Sequence, residues 1–280
     1  MKIARFFLLI IFISAMLALP LYYQIWAKPY RLSKSNIEMP FRQDWEINLS
    51  SEEQAEIYSI LSQPFSYLGK GFQSYAFLSE DGQYVLKLFR LESAKLMYGR
   101  HLSDFVKKAL GVKTRRIRSY SCAEEVFNSS KISFDRFREE TGLILTHLNP
   151  NQKWPMIEIR DHLGLKHRLD GSITRFVLQK RAEKLFPALY ASLSGDRDSF
   201  YQKVRSFSTL LHSFKKKGVS PDDSKMPSNF GFLGDRAIQI DFASNSLNLE
   251  NAHIQSDKFR RKMRAWLEVK APDALQYLDD

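Results

Sequence analysis

The chain is poor in the residues that staple or metallate small domains. Of 280 residues a single one is cysteine, Cys122, which excludes an intrachain disulfide framework and any cysteine-based zinc site. A domain that folds without disulfides is compatible with a reducing compartment. The six histidines, at 101, 147, 162, 167, 212 and 253, show no His-x-x-x-His spacing with a carboxylate, so a histidine metal centre is not expected. There is no internal repeat and no low-complexity tract. No G-K-[ST] follows a glycine-rich loop at the required distance, which excludes a Walker A site.

What is present is a globular composition, 44% hydrophobic and 26% charged, in a chain long enough for one large domain or two small ones with a sizeable core. The net charge of +11 implies attraction to polyanions: nucleic acid, acidic lipid or phosphorylated ligands. Residues 6–27, "FFLLIIFISAMLALPLYYQIWA", carry no charge and would span about 33 Å as a helix, enough to cross the hydrocarbon layer. Tyr22, Tyr23 and Trp26 suit its interfacial end. The alternative is a secretory signal beginning at Lys2 and Arg5, but no small-x-small cleavage site follows, so an uncleaved anchor over residues 1–27 is expected. Lys2 and Arg5 face Lys28, Arg31 and Lys34 across it, a balance that leans toward a single-pass membrane protein with a cytoplasmic domain. The run Lys107, Lys108, Lys113, Arg115, Arg116 and Arg118 reads as a solvated helix face. Beside a membrane anchor, segment 107–118 would also meet anionic lipid headgroups. Its aromatic interleaving is too sparse for a stacking platform, so nucleic acid is not an expected partner.

A polar linker, 28–48, leads to "SSEEQAEIYSIL", where Ser50 or Ser51 caps a helix with Ile57, Ile60 and Leu61 on one face. Residues 64–90 alternate apolar and polar around glycines, the pattern of a hairpin or meander. Residues 91–148 read as mostly helical, 156–180 as strands turning at "LDG", and 183–217 as helical again, ending at Gly218 as a C-cap. "NFGFLGDRAIQIDFAS" is a hairpin turning at "LGD", and 257–278 a basic amphipathic helix. Strands first, helices later and a brief return of strands give a two-layer α+β fold in two lobes.

Four stretches together resemble the protein-kinase-like family. "LGKGFQSYAF…DGQYVLKLF" is similar to the glycine-rich loop and lysine strand. Gly69 and Gly71 match its first two glycines and Ser74 replaces the third; Lys87 stands where the lysine pairs the α- and β-phosphates of ATP. "FREETGLILTHLNPN" resembles the end of the helix that supplies that lysine's glutamate: Glu140 fits best, Glu139 being the alternative. "FVLQKRAEKL" resembles the strand entering the hinge, with backbone near Gln179 to Arg181 open to adenine. "GVSPDDSKMPSNFGFLGDRAIQIDFA" resembles the catalytic loop, hairpin and D-F-G. Asn229 and Asp241, twelve residues apart, would ligate Mg2+ from adjacent strands. Asp223 would accept the substrate's proton, and Lys225 would neutralise the transferring phosphoryl group.

The chain also departs from that pattern. Val219-Ser220-Pro221 replaces His-Arg before the aspartate, Asp223 lies one residue too far from Asn229 so that Asp222 is an alternative base, and Asp241-Phe242-Ala243 replaces D-F-G. Only 37 residues follow Ala243, and no A-P-E appears. The resemblance covers about residues 64–243. It implies a two-lobed kinase-like α+β fold with a shortened C-terminal lobe: an N-lobe over 49–181 with a helical insertion, and a short helical C-lobe over 182–280. The function implied is a membrane-anchored enzyme moving the ATP γ-phosphoryl group to a hydroxyl on a protein, small molecule or lipid-linked acceptor. A pseudokinase scaffold with the same fold, and a basic membrane-surface protein without nucleotide, are the alternatives.

Overall fold

The computed structural model describes residues 40–71, 73–89, 123–150, 152–221 and 226–279, together with Phe12, Ser14 and Met16. Helix α1 (Ser51–Leu61) starts where Ser50 and Glu53 close a capping box, each side chain accepting from the other's backbone N–H. Two of the N–H groups left open by a helix start are satisfied in this way. Ile57, Ile60 and Leu61 form its buried face, as the spacing predicts. Of the linker expected over 28–48, residues 40–48 are described. Trp45 and Ile47 are buried, and Trp45 stands edge-on to Phe127 at 5.2 Å while its Nε1–H donates to Asn128 Oδ1 at 2.7 Å.

Strands β1 (Phe65–Lys70), β2 (Ser74–Ser79) and β3 (Tyr84–Phe89) form the expected antiparallel meander. Helix α2 (Ala123–Thr141) follows, then β4 (Leu143–His147), β5 (Met156–Arg160), β6 (Lys166–Asp170) and β7 (Phe176–Lys180). The seven strands make one sheet in the order β4-β7-β3-β2-β1-β5-β6, with β5 parallel to β1 and the other neighbours antiparallel. Strand β4 corrects the helical reading of 91–148. Gly142, at φ +64°, ends α2, and the five residues after it are all buried in a strand. A strand covered on both faces carries no alternation to separate it from a buried helix. Residues 90–122, with the basic segment 107–118, lie outside the described residues.

Beyond β7 come β8 (Glu183–Lys184), α3 (Leu185–Gly195), α4 (Arg197–Lys217), β9 (Val219–Pro221), the single turn α5 (Met226–Asn229), the hairpin β10 (Phe230–Leu233) and β11 (Arg236–Gln239), β12 (Asn245–Leu247), α6 (Leu249–Lys270) and α7 (Leu275–Asp279). Asp196 caps α4 by accepting from Ser199 N, and Gly218, at φ +64°, ends it. Lys215, Lys216 and Lys217 lie in its last turn, where the helix dipole favours cations. Its stripe of Phe200, Val204, Phe207, Leu211 and Phe214 is buried. The rings of Phe207, Phe214 and Phe259 all pack edge-on to Phe230, which ties α4 and α6 to the hairpin. The sheet has its own cores on Leu86, Leu88 and Leu178 and on Phe89, Phe127 and Val177. The architecture is α+β.

The expected single-pass membrane localisation is corrected. Among the described residues no helix is long and apolar enough to cross a membrane. The longest of them, α6, alternates buried Phe259, Met263 and Leu267 with Arg260, Arg261, Lys262 and Arg264, as a helix lying on a protein core does. Of the stretch 6–27, Phe12, Ser14 and Met16 are described, helical and exposed; the rest lies outside the described residues.

Candidate functional site

Lys87 interrupts an apolar strand. Its neighbours across the sheet are Ala76 on β2 and Val177 on β7, neither of which offers a polar group. The partly buried ammonium instead reaches the end of the β10–β11 hairpin, donating to the Ile240 carbonyl at 2.6 Å and lying 5.0 Å from the Phe242 ring centroid. Burial pushes its pKa below the ordinary lysine range, and the charge of Asp241 works against that shift. A cation held by a carbonyl and a ring, with its nearest carboxylate acting only through space, has unused capacity for an anion.

The hairpin brings Asp241 and Asn229 together. Phe230 opposes Gln239 in the β10–β11 register. One step further on, the Asn229 carbonyl accepts from Ile240 N at 2.7 Å and Asp241 N at 3.3 Å. Asn229 is buried, with Oδ1 accepting from Ser228 Oγ at 2.9 Å. Asp241 is exposed, and its Oδ1 accepts only a long 3.4 Å bond from Ala243 N. Gly231 in β10 has a structural reason: a Cβ there would sit 2.1 Å from the Glu183 carbonyl of β8.

Gly69 lies near the end of β1 opposite Ala76, and Gly71 in the β1–β2 turn, where its N–H donates to Ser74 O at 2.8 Å; Ser74 begins β2 opposite Phe89. Neither glycine has a positive φ. A Cβ on Gly69 would meet nothing within 4 Å, and one on Gly71 would make only ordinary contacts with Ser74. Backbone conformation and packing therefore leave both positions open to a side chain. Bare backbone there allows close approach by a ligand, and at Gly69 the β1–β2 register also shifts, an irregularity that glycine suits.

Two expected site residues are placed elsewhere. Glu140 is paired with Lys217, not Lys87. The kink at Phe137, where the backbone leaves helical geometry, and the stop at Gly142 put the last turn of α2 beside the end of α4. Glu139, the alternative, is exposed. Gln179 is not a free hinge residue, because β7 is an interior strand pairing Gln179 with both Val85 and Leu143. The N–H groups of Lys180 and Arg181 are also taken, by the carbonyls of Gly142 and Gln83. The Gln179 side chain is buried and donates to the carbonyls of Thr141 at 2.6 Å and Gln239 at 3.3 Å. Asp222, Asp223 and Lys225 lie outside the described residues. The Ile240 carbonyl was not foreseeable, since no side chain marks a backbone acceptor. Phe242 was visible only as the middle of the Asp-Phe-Ala motif.

Among the described residues there is no cluster of three or more His, Cys, Asp or Glu side chains able to hold a metal. One carboxylate and one amide oxygen nonetheless suit Mg2+, which keeps waters and takes its other ligands from substrate phosphates. The donor set fits that ion.

No family model matches the sequence, and no curated protein matches it. Among solved structures the chain is similar to the Rv3197–erythromycin complex from Mycobacterium tuberculosis, at 13% identity and a TM-score of 0.33, over 78% of this chain. It spans 55% of that protein's length. It is also similar to APH(2")-IIa in a ternary complex with streptomycin and ATP, at 13% identity and a TM-score of 0.32, covering 83% of this chain and 89% of that one. A third is the aminoglycoside phosphotransferase APH(2'')-Ib bound to ADP, at 15% identity and a TM-score of 0.27, covering 82% and 86%. Likeness at this level does not define a family or an activity.

Proposed function

We propose that the chain is a kinase-like phosphotransferase that binds Mg-ATP between the sheet and the β10–β11 hairpin and moves the γ-phosphoryl group to a hydroxyl acceptor. The observation that supports it most is Lys87, a desolvated ammonium whose reach ends at the hairpin carrying Asp241 and Asn229. Phosphate oxygens would supply the anion that the sheet does not. Gly69 and Gly71 would let the β1–β2 backbone come close to them. Asp241 and Asn229 would hold Mg2+, which supplies charge neutralisation between the phosphates when bound. Asp223, or Asp222, would take the acceptor's proton as its oxygen bonds to the γ-phosphorus and the β–γ bridge breaks, releasing ADP. Lys225 would steady the transferring group.

A second reading has its own support. With Glu140 on Lys217, Lys87 lacks the helix carboxylate that orients it in active kinases, which favours a nucleotide-binding module without transfer.

A thermal-shift titration of the full chain with Mg-ATP tests the proposal. Ligand at 100 times its Kd stabilises the fold by about 2.7 kcal/mol, a shift of a few degrees. Asp223→Asn should keep that shift and abolish ADP release in the presence of acceptor. A shift without turnover by the unsubstituted chain favours the binding module; no shift at millimolar Mg-ATP rejects both readings.

A further inference from the structure

The segment that leaves β11 is fastened from several sides. Gln239 and Asn245 exchange a reciprocal pair of amide hydrogen bonds, each 2.8 Å. The second Nε2–H of Gln239 donates to the Asp241 carbonyl at 2.9 Å, and the second Nδ2–H of Asn245 donates to Ser133 Oγ at 3.0 Å. Ser129 Oγ lies 2.7 Å from the Phe242 carbonyl and 2.8 Å from that of Asn245. Ser133 Oγ donates back to Ser129 O at 2.8 Å, and Asn245 N donates to the Phe242 carbonyl at 3.1 Å. Gln239, Asn245, Ser129 and Ser133 are each no more than 4% exposed, so bulk water is not a substitute partner. Both amides have every N–H in use, and a shift of the 241–245 turn would strand buried donors.

We infer that Asn245, seated on Ser129 and Ser133 of α2 and doubled with Gln239, is a positioning residue that presets the Asp241 carboxylate for its divalent cation. The inference rests on the Mg-ATP reading of Asp241 given above. Helix α2 then serves the site by holding the turn after the metal ligand, through two serines, and not by giving a carboxylate to Lys87. Asp241 itself remains exposed and lightly bonded, so its backbone is fixed while its oxygens stay open.

The test follows the Mg2+ dependence of the ATP-induced thermal shift in the full chain and in Asn245→Ser and Ser133→Ala. Losing a group that bonds a metal ligand directly typically costs 10- to 100-fold in metal affinity, and Asn245 acts one step further back, through Gln239, so the low end of that range applies. The Mg2+ midpoint should therefore rise about tenfold in Asn245→Ser, and in the same direction in Ser133→Ala, while the shift given by ATP in EDTA is unchanged. Variants that melt lower without ligand but keep the Mg2+ midpoint within about twofold would show a purely structural network and overturn the inference. If Asn245→Ser does not fold, Ser133→Ala decides by the same readout. An unsubstituted chain whose shift ignores Mg2+ removes the cation site, a result separable from the failure of the positioning role.

Discussion

Glu140 and Lys217 join the end of α2 to the end of α4, one carboxylate oxygen accepting from Nζ while the other is buried without a partner. Beside them Phe137 stacks on Phe214 at 4.6 Å, with the Lys217 ammonium 5.2 Å from the Phe137 ring centroid. The pair is thus a clip between the sheet's helix and the helical half. Lys217→Ala should destabilise the fold by about 1–2 kcal/mol, a value held down by the exposure of the lysine. Glu140→Gln should leave the Mg-ATP shift intact. Denaturant midpoints and a nucleotide titration check both, and a lost shift in Glu140→Gln would return that residue to the site.

Lys87→Met separates binding from folding. The substitution replaces a desolvated ammonium with a side chain of similar length that packs readily. The ligand-free protein should melt at the same temperature or higher, while the Mg-ATP shift is lost. A Lys87→Met protein that melts lower and still shifts would make the lysine structural.

The glycines divide by the same logic. Gly69→Ala should keep or slightly raise stability, by about 0.4–1 kcal/mol, since the new methyl meets nothing and the unfolded chain loses freedom. Its apparent Kd for ATP should rise. Gly231→Ala, whose methyl would strike the Glu183 carbonyl and Ile240 Cδ1 at 2.1 and 2.5 Å, should cost about 1–3 kcal/mol by overpacking. Urea denaturation of the two variants beside the unsubstituted chain checks the contrast.

His147 sets an acid limit. Burial pushes its pKa from 6.5 down to about 4, against a bond to the Thr174 carbonyl that favours protonation and with the Arg175 charge adding to the fall. Nδ1–H donates to Thr174 O at 2.7 Å. Between pH 6.5 and about 4 the unfolded chain takes up a proton here that the native imidazole does not. Stability therefore falls as pH drops through that window, by up to about 3 kcal/mol. His147→Asn, which can keep the donor to Thr174, should flatten this part of the stability–pH curve.

Features set by local chemistry were legible in the sequence: a serine cap at 50 or 51, which the structure places at Ser50, the β1–β3 alternation, the Gly218 stop and the Gly234 turn. So was the β10–β11 hairpin itself, whose register sets Asn229 opposite Ile240 and beside Asp241. What escaped depended on neighbours far along the chain. Strand β4 is buried on both faces and has no period to read. The resemblance points to Glu140 for Lys87, but past the kink at Phe137 that carboxylate pairs with Lys217 of α4. Gln179 looked available because its own stretch does not reveal that strands lie on both sides of it. The Asn245–Ser133 bond spans 112 residues, and neither residue type stands out where it occurs.

The position of β7 between β3 and β4 has a consequence for how the protein is made. Leu86 pairs with Leu178 and Lys87 with Val177, so the inner edge of the meander stays bare until residue 180 has left the ribosome. During that interval β3 presents an unpaired apolar edge, the kind of surface that recruits another chain. Non-local pairing of this sort folds slowly and is exposed to aggregation. Ribosome-bound chains truncated before β7 should depend on chaperones in a way that chains ending after it do not.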